Sequence, residues 1–522
     1  MLKQVKNLGA ILRDISARLP SEPGFIKGSE TFSWLAINQR VDAMAHALSR
    51  LGIGKGDRIL VHSTNNIQLF ESAWVAFKLG AVWVPTNVRI TEREIAYLAS
   101  SSKAAVMIYD AGYGTHADAC LAATDTLKHM IAIGEPRGGE LAYERLLEAG
   151  RAHGAFDVAE VVFEDPAWFF YTSGTTGHPK AGVLSHGQMA FVIVNHLADL
   201  MPGLSHRSRS LVVAPLSHGA GIHALVNTAR GAASVLPESP RLDCAEAWRL
   251  VERHRVDNMF TVPTIVKMLT EHPAVDRCDH SSLKYVVYAG APMYRADQQH
   301  ALRKLGKVLV QYYGLGEVTG NITVLPPELH EIEDGPDSRK GSCGYARTGM
   351  EIGILDPRGA QLGPFETGEI CVRGLAVFMG YNDNQAANDK AFKDNWFHTG
   401  DIGHLDAAGF LYITGRESDM YISGGSNVYP REVEEALLTH EAVSEVAILG
   451  LADEKWGEVG VAVIVLRQGK MASPGDLENH LANKVARYKQ PVRYHFWEAL
   501  PKSGYGKIVK KEIKSILMNQ GR

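Results

Sequence analysis

The sequence predicts an α/β protein: a large N-terminal domain of doubly wound sheets that includes a small β-subdomain, a hinge, and a small α+β C-terminal domain. Three observations predict it. The chain has 522 residues, too many for a single core. Strand-like and helix-like patterns alternate early in the chain, the rhythm of a parallel sheet with helices on both faces. A polar, then apolar, then glycine-rich stretch at 415–425 joins a large body to a tail of about a hundred residues. The expected boundaries are 1–416 for the N-terminal domain, with sheet subdomains over 1–340 and the β-rich subdomain over 341–416, and 417–522 for a mobile C-terminal domain.

Bulk properties narrow the function. Apolar content of 45% and charged content of 21% are ordinary for a globular protein. A net charge of −4 gives no global field for nucleic acid or an anionic membrane. The five cysteines, Cys120, Cys244, Cys278, Cys343 and Cys371, form no CxxC pair, so neither a zinc site nor a disulfide framework is indicated, and a reducing cytoplasm is the expected setting. No apolar run reaches the ~20 residues that span a bilayer.

Taken in order, Leu2, Val5, Leu8, Leu12, Ile15 and Leu19 recur at helical spacing with basic residues between them. Asp14 in the middle and the immediate run into folded-looking sequence favour a first helix over a transit peptide. Ala43 to Leu51 reads as helix, Gly56-Asp57 as a turn and Arg58 to His62 as a strand, with buried strands following at 104–108 and 130–133. This part is scaffold.

The apolar run Ala167 to Phe170 leads into Tyr171-Thr172-Ser173-Gly174-Thr175-Thr176-Gly177-His178-Pro179-Lys180-Ala181-Gly182. Glycines let the backbone turn N–H groups toward one point, hydroxyls add donors and lysine adds a mobile positive charge, the equipment of a polyphosphate cradle. It is not a Walker loop, because Lys180 precedes Ala181 rather than a serine or threonine. Ser210 to Pro215 then reads as a strand that delivers Leu216 to Gly221, including His218 and Gly219, to its carboxyl end, where open α/β sheets hold ligands. Two more strand-to-loop transitions follow. The first ends in Ala289-Gly290-Ala291-Pro292 and the second, after Val310, in Gln311-Tyr312-Tyr313-Gly314-Leu315-Gly316-Glu317. Small residues let a flat ring approach the backbone, an aromatic can stack on a base, and a carboxylate can hold a magnesium ion. Gly368 to Gly374 is a strand of the β-subdomain, and Asp401 follows Thr399-Gly400, where a carboxylate can accept from both hydroxyls of a diol. Tyr429 to Glu435 opens a helix with proline in its first turn. Strands at 446–449 and 461–465 and a helix at 477–485 complete the tail.

In order and spacing, from Tyr171 to Lys507, these segments resemble the adenylate-forming superfamily of acyl-CoA synthetases, luciferases and peptide-synthetase adenylation domains. The resemblance implies an AMP-forming acid:CoA ligase of the acyl-CoA synthetase type, using ATP, Mg2+ and coenzyme A. It makes Thr172, Ser173, Gly174, Thr175, Thr176, Gly177 and Lys180 the phosphate grip. Gly290, Ala291, Pro292, Gln311, Tyr312 and Tyr313 would surround the adenine, Asp401 would hold the ribose, Arg416 would contact the nucleotide and Glu317 would bind the metal. His218, Gly219, Ala289, Gly290 and Gly314 would shape the acyl pocket. Ser418 would be the hinge pivot, Ser423, Gly424 and Gly425 would line the pantetheine tunnel, and Lys507 would bridge the substrate carboxylate and the α-phosphate. Trp456 and Tyr488, with cations nearby, suit the CoA nucleotide. Two positions depart from the family. Gly316 stands where a serine or threonine usually contacts the α-phosphate, and Ser418 where the pivot is commonly aspartate or lysine. The expected substrate is a medium-chain, branched, cyclic or aryl carboxylic acid, with neither nucleic acid nor a membrane span among the partners and a homodimer left open. Transfer of acyl-AMP to a carrier protein, luciferase-like oxygenation and a non-catalytic nucleotide-binding regulator are the alternatives.

Overall fold

The computed structural model describes residues 4–172, 179–291, 293–335, 338–417, 419–423, 426–454, 456–482, 484–502 and 508–520. Of the positions singled out above, Ser173, Gly174, Thr175, Thr176, Gly177, Pro292, Ser418, Gly424, Gly425 and Lys507 lie outside them.

Among the described residues, two large sheets carry the N-terminal part. The first runs in the order Lys180–Ser185, Pro166–Thr172, Val82–Pro85, Arg58–His62, Val106–Asp110, His129–Ile133 and Leu141–Ala142. Only its first pair is antiparallel. Arg58–His62 and Val82–Pro85 are buried almost throughout, which is why they read as unbroken apolar runs rather than alternating ones. The second sheet has a parallel stretch, Pro23–Lys27, Ala233–Leu236, Arg209–Val212, Asn258–Thr261, Tyr285–Tyr288 and Leu309–Tyr313. It continues through antiparallel Thr323–Leu325, Ser342–Ala346, Phe410–Arg416, Trp396–Leu405, Gly368–Gly374 and Met350–Leu355. The expected β-rich stretch is therefore hydrogen-bonded onto the α/β sheet.

One core cluster joins these layers, with Trp34, Trp74, Trp83, Trp168, Phe70, Phe77 and Tyr312 among its members. The tail forms a third sheet, Ser426–Val428, Tyr421–Ser423, Gly457–Leu466 and Val443–Asp453, with Arg493–Phe496 added in parallel. Helices Pro430–Leu438 and Pro474–Leu481 each begin at a proline, the position where its missing N–H costs nothing. No described helix is long and apolar enough to cross a membrane.

Three local expectations shift. The first helix is Gly9–Arg18, and Gln4–Val5 instead pair with Val161–Val162. Asn7 breaks the earlier helical pattern, since its Oδ1 accepts from the Gly9 N–H at 2.7 Å and its amide donates to the Ala159 carbonyl at 2.9 Å. Gln311 to Tyr313 belong to a strand rather than a loop, because Thr323–Leu325 pairs with them. Asp401 likewise sits inside strand Trp396–Leu405, opposite Arg416.

Candidate active site

The phosphate-grip segment is bounded by partners. Thr172 ends one strand, Lys180 begins the next, and the two residues face each other in the antiparallel register. Thr172 and Lys180 are thereby fixed by strand pairing at the two edges of that segment. Glu317, on a short 3-10 turn after strand Leu309–Tyr313, is only 6% exposed beside that hairpin. Its Oε1 accepts from Thr172 Oγ1 at 2.8 Å and from the Tyr381 hydroxyl at 2.9 Å. The Lys180 ammonium stands 5.1 Å from the centroid of the Tyr381 ring. Burial, and then the Glu317 charge, push the Tyr381 phenol above its ordinary range.

Tyr381 is the residue sequence reasoning missed. It stands before the turn residues Asn382-Asp383, which mark a loop but no catalytic motif, and lies about 60 residues beyond Glu317, so only tertiary pairing brings it in. That pairing is visible as a bridge between Gly182 and Tyr381 and as the Phe378 N–H donating to the Glu317 carbonyl at 2.8 Å.

A second group gathers Tyr313, Asp401 and Arg416. The Tyr313 hydroxyl donates to Asp401 Oδ2 at 2.6 Å, and Arg416 Nε donates to Oδ1 at 2.7 Å. The Asp401 charge holds the guanidinium above its usual range, whereas burial, joined by that charge, raises the Tyr313 hydroxyl well above its own. Asp401 is 4% exposed and rigidly set. Its N–H donates to Thr399 Oγ1 at 3.0 Å, and Glu369 accepts from the Gly400 N–H at 3.0 Å and pairs with His398 at 2.7 Å, which pins the strand irregularity before it.

Strand alternation separates Gln311 and Tyr313 from Tyr312. Gln311 Oε1 accepts from the Tyr288 hydroxyl at 2.9 Å, near Ala289 and Gly290, whose φ of +84° favours glycine. Tyr312 turns the other way, stacks on Phe260 with ring centroids 6.0 Å apart, and does not join the nucleotide-side group to which the sequence reading assigned it. Phe260 in turn abuts Gly219, where an added Cβ would come within 2.5 Å of the ring. His218, before helix Gly219–Arg230, packs its ring 4.3 Å from that of Phe170. Gly314 passes the backbone of Gly320 so closely that a Cβ would lie 2.4 Å from its Cα.

The Gly316 departure has a packing cause. A Cβ at that position would meet the Phe170 ring at 2.7 Å and the Thr172 methyl at 2.8 Å, so Phe170 occupies the room a hydroxyl-bearing side chain would need. In the tail, Ser423 is 9% exposed and ends strand Tyr421–Ser423, whereas Trp456 and Tyr488 are each 50% exposed. Lys489, held by Glu432 at 2.6 Å, lies 5.8 Å from the Tyr488 ring centroid.

A family model described as "AMP-binding enzyme" matches residues 12–382, and a second, "AMP-binding enzyme C-terminal domain", matches 432–507. A feruloyl-CoA synthase from Amycolatopsis sp is 32% identical over 489 residues, covering 93% of this chain and 94% of that protein. A long-chain-fatty-acid–CoA ligase from Mycobacterium tuberculosis is 31% identical over 515 residues, covering 98% of each. Among solved structures, o-succinylbenzoate CoA synthetase from Bacillus subtilis with its acyl-adenylate intermediate superposes with a TM-score of 0.84 at 27% identity, over 98% of this chain and 99% of that one.

Proposed function

Since the chain belongs to the AMP-binding enzyme family, in the acid:CoA ligase branch of the adenylate-forming superfamily, with ATP, Mg2+ and CoA as its cofactors and cosubstrates, we propose which of its residues carry the reaction and which acids it takes. The observation that carries this reading is the convergence of Thr172 and Tyr381, from separate segments, onto the buried Glu317 carboxylate, with the Lys180 ammonium standing over the Tyr381 ring.

The donor set fits the cosubstrates. Among the described residues both donors to Glu317 reach the same oxygen, Oε1, so its other oxygen suits a hard cation such as Mg2+, which would neutralise phosphate charge. Asp401 and Arg416 suit the ribose diol, and Tyr313 with Gln311 the base. Lys180 and the hydroxyls of the 172–177 segment hold the pyrophosphate oxygens as they gain charge. In the first half-reaction the acid's carboxylate attacks the α-phosphate and pyrophosphate leaves. In the second, the CoA thiolate attacks the acyl carbon and AMP leaves. Negative charge develops on phosphate oxygens in the first step, so these side chains contribute position and electrostatics, and none has to act as nucleophile.

Within this reading Lys507 serves the first half-reaction, and rotation of the 417–522 domain about Ser418 brings Ser423, Gly424, Gly425, Trp456 and Tyr488 to CoA for the second. The substrate is a medium-chain, branched, cyclic or aryl acid admitted past His218, Gly219, Ala289, Gly290 and Gly314.

The test is a panel of acids assayed for ATP–pyrophosphate exchange and for CoA-dependent AMP release. Lys507→Ala should lose about a hundredfold or more in exchange, yet still convert supplied acyl-AMP and CoA to thioester. Equal loss in both assays, or in neither, would remove Lys507 from its role. Acid-dependent exchange without thioester formation at any CoA concentration would instead favour a carrier protein as acceptor.

A further inference from the structure

Behind the acyl pocket the chain buries a guanidinium that its own residues do not satisfy. Arg347, just after strand Ser342–Ala346, is 1% exposed, and its Nε and Nη1 have no hydrogen-bond partner among the described residues. Nη2 donates to His196 Nδ1 at 3.1 Å. The nearest carboxylate, Asp199, lies 3.8 Å from Nε, beyond hydrogen-bonding distance, and is already engaged. Its two oxygens accept from the Thr348 N–H at 2.8 Å, the Thr348 hydroxyl at 2.8 Å and the Asn195 amide at 3.2 Å.

An orphaned buried donor of this kind is costly, the more so when charged, and calls for something else to supply the acceptor. Burial lowers Arg347 to about 9 and keeps His196 neutral, so the surroundings penalise the very charge they enclose.

A continuous path of rings leads from the pocket to this group. Gly219 lies against Phe260, Phe260 stacks on Tyr312, and the edge of His196 packs on Tyr312 with centroids 5.9 Å apart, carrying the contact to Arg347. Tyr312 has a glycine on its other side, since a Cβ on Gly320 would come within 2.2 Å of its ring. The contacts from Gly219 to the guanidinium thus run along three rings, Phe260, Tyr312 and His196. Resting on the ligase reading above, we propose that Arg347 receives a second, distal carboxylate of the substrate, and that the preferred acids are dicarboxylic. Nε and Nη1 lie on different edges of the guanidinium, and each offers a charge-assisted N–H donor to which such a carboxylate can bind. Arg347 is then a specificity-determining residue, remote from the acyl carbon.

The experiment compares kcat/KM for straight-chain and aryl diacids with monoacids of matched length that carry a methyl group in place of the distal carboxylate. For the wild type the diacid should lead by about ten- to a hundredfold, the worth of one or two charge-assisted hydrogen bonds. Arg347→Met should abolish that lead or reverse it, Arg347→Lys should retain part of it, and KM for ATP should hold in both. Because either variant can fail to fold, thermal melting of the wild type with diacid or monoacid alone gives a second readout, in which only the diacid should raise Tm. A wild type that turns over monoacids and shows neither lead nor melting shift for diacids overturns the inference and leaves the ligase reading standing. A ratio unchanged in a folded Arg347→Met overturns it too. Absence of exchange with every acid sinks the ligase reading first.

Discussion

Glu317 receives two hydroxyl donors on one oxygen, so its charge and its position can be separated experimentally. Glu317→Gln keeps a carbonyl acceptor for Thr172 and Tyr381 and removes only the charge that balances a cation. The fold should survive and adenylation should slow by about two orders of magnitude or more. Near-normal adenylation at saturating magnesium would contradict the assignment. Gly316 makes the complementary case, in which a residue is set by packing. Gly316→Thr forces atoms against the Phe170 ring, and overpacking of this kind costs about 1–3 kcal/mol. Phe170→Ala should be destabilising alone yet relieve Gly316→Thr, with a coupling of about 0.5–3 kcal/mol in a double-mutant cycle. Strictly additive losses in urea unfolding would show that the two side chains do not compete for that space. The sequence exposes Gly316 only as a missing hydroxyl. The reason, an aromatic ring nearly 150 residues earlier, is a tertiary fact.

Elements were legible where a local rule governs them. Arg58–His62 and Gly368–Gly374 stand at the expected residues because turn residues bound a compact apolar or alternating run. Leu309–Tyr313 outran its prediction because an antiparallel neighbour, not its own pattern, extends it. The same distinction runs through the site. Thr172, Lys180, Glu317 and Asp401 sit in motifs, whereas Tyr381 is placed by its bridge to Gly182 and Arg347 by its contact with His196, and neither carries a local signature. The stretch around position 418 is anchored on both sides. Glu417 donates its N–H to the Gly400 carbonyl at 3.0 Å in the N-terminal sheet, and Asp419 faces Lys510 of the C-terminal helix at 4.0 Å. Proline fixes φ, so Ser418→Pro should spare acyl-AMP formation and depress thioester formation steeply, by about tenfold or more if rotation becomes limiting. Half-reactions that fall together would move the pivot elsewhere.

Across the whole molecule, buried neutral histidines tie stability to pH. His62, His186, His223 and His330 lie in different parts of the two large sheets and their helices, all but hidden from solvent. Burial lowers His62 to about 3 and the other three to about 4, from an ordinary value of 6.5. Their surroundings agree, since His62 Nε2, His186 Nε2 and His223 Nδ1 have no partner able to solvate a proton among the described residues. Below pH 6.5 the unfolded chain therefore binds protons that the folded one refuses, and the stability these groups contribute is lost as pH falls from 6.5 toward 4. Glu71 opposes them, because burial raises its carboxyl to about 7 and the folded state takes up that proton first. His196, which burial also keeps neutral, joins them, so about five enclosed histidines against one carboxyl leave about four uncompensated, at about 1.4 kcal/mol each per pH unit within the window. The net loss between pH 6 and 5 is then about 5 kcal/mol, a large share of the roughly 5–15 kcal/mol that holds a domain together. Urea midpoints should be flat from pH 8 to 7 and fall steeply below 6. A midpoint that holds down to pH 5 would mean these histidines are protonated in the folded protein, and that water or an anion reaches the sites where they are enclosed.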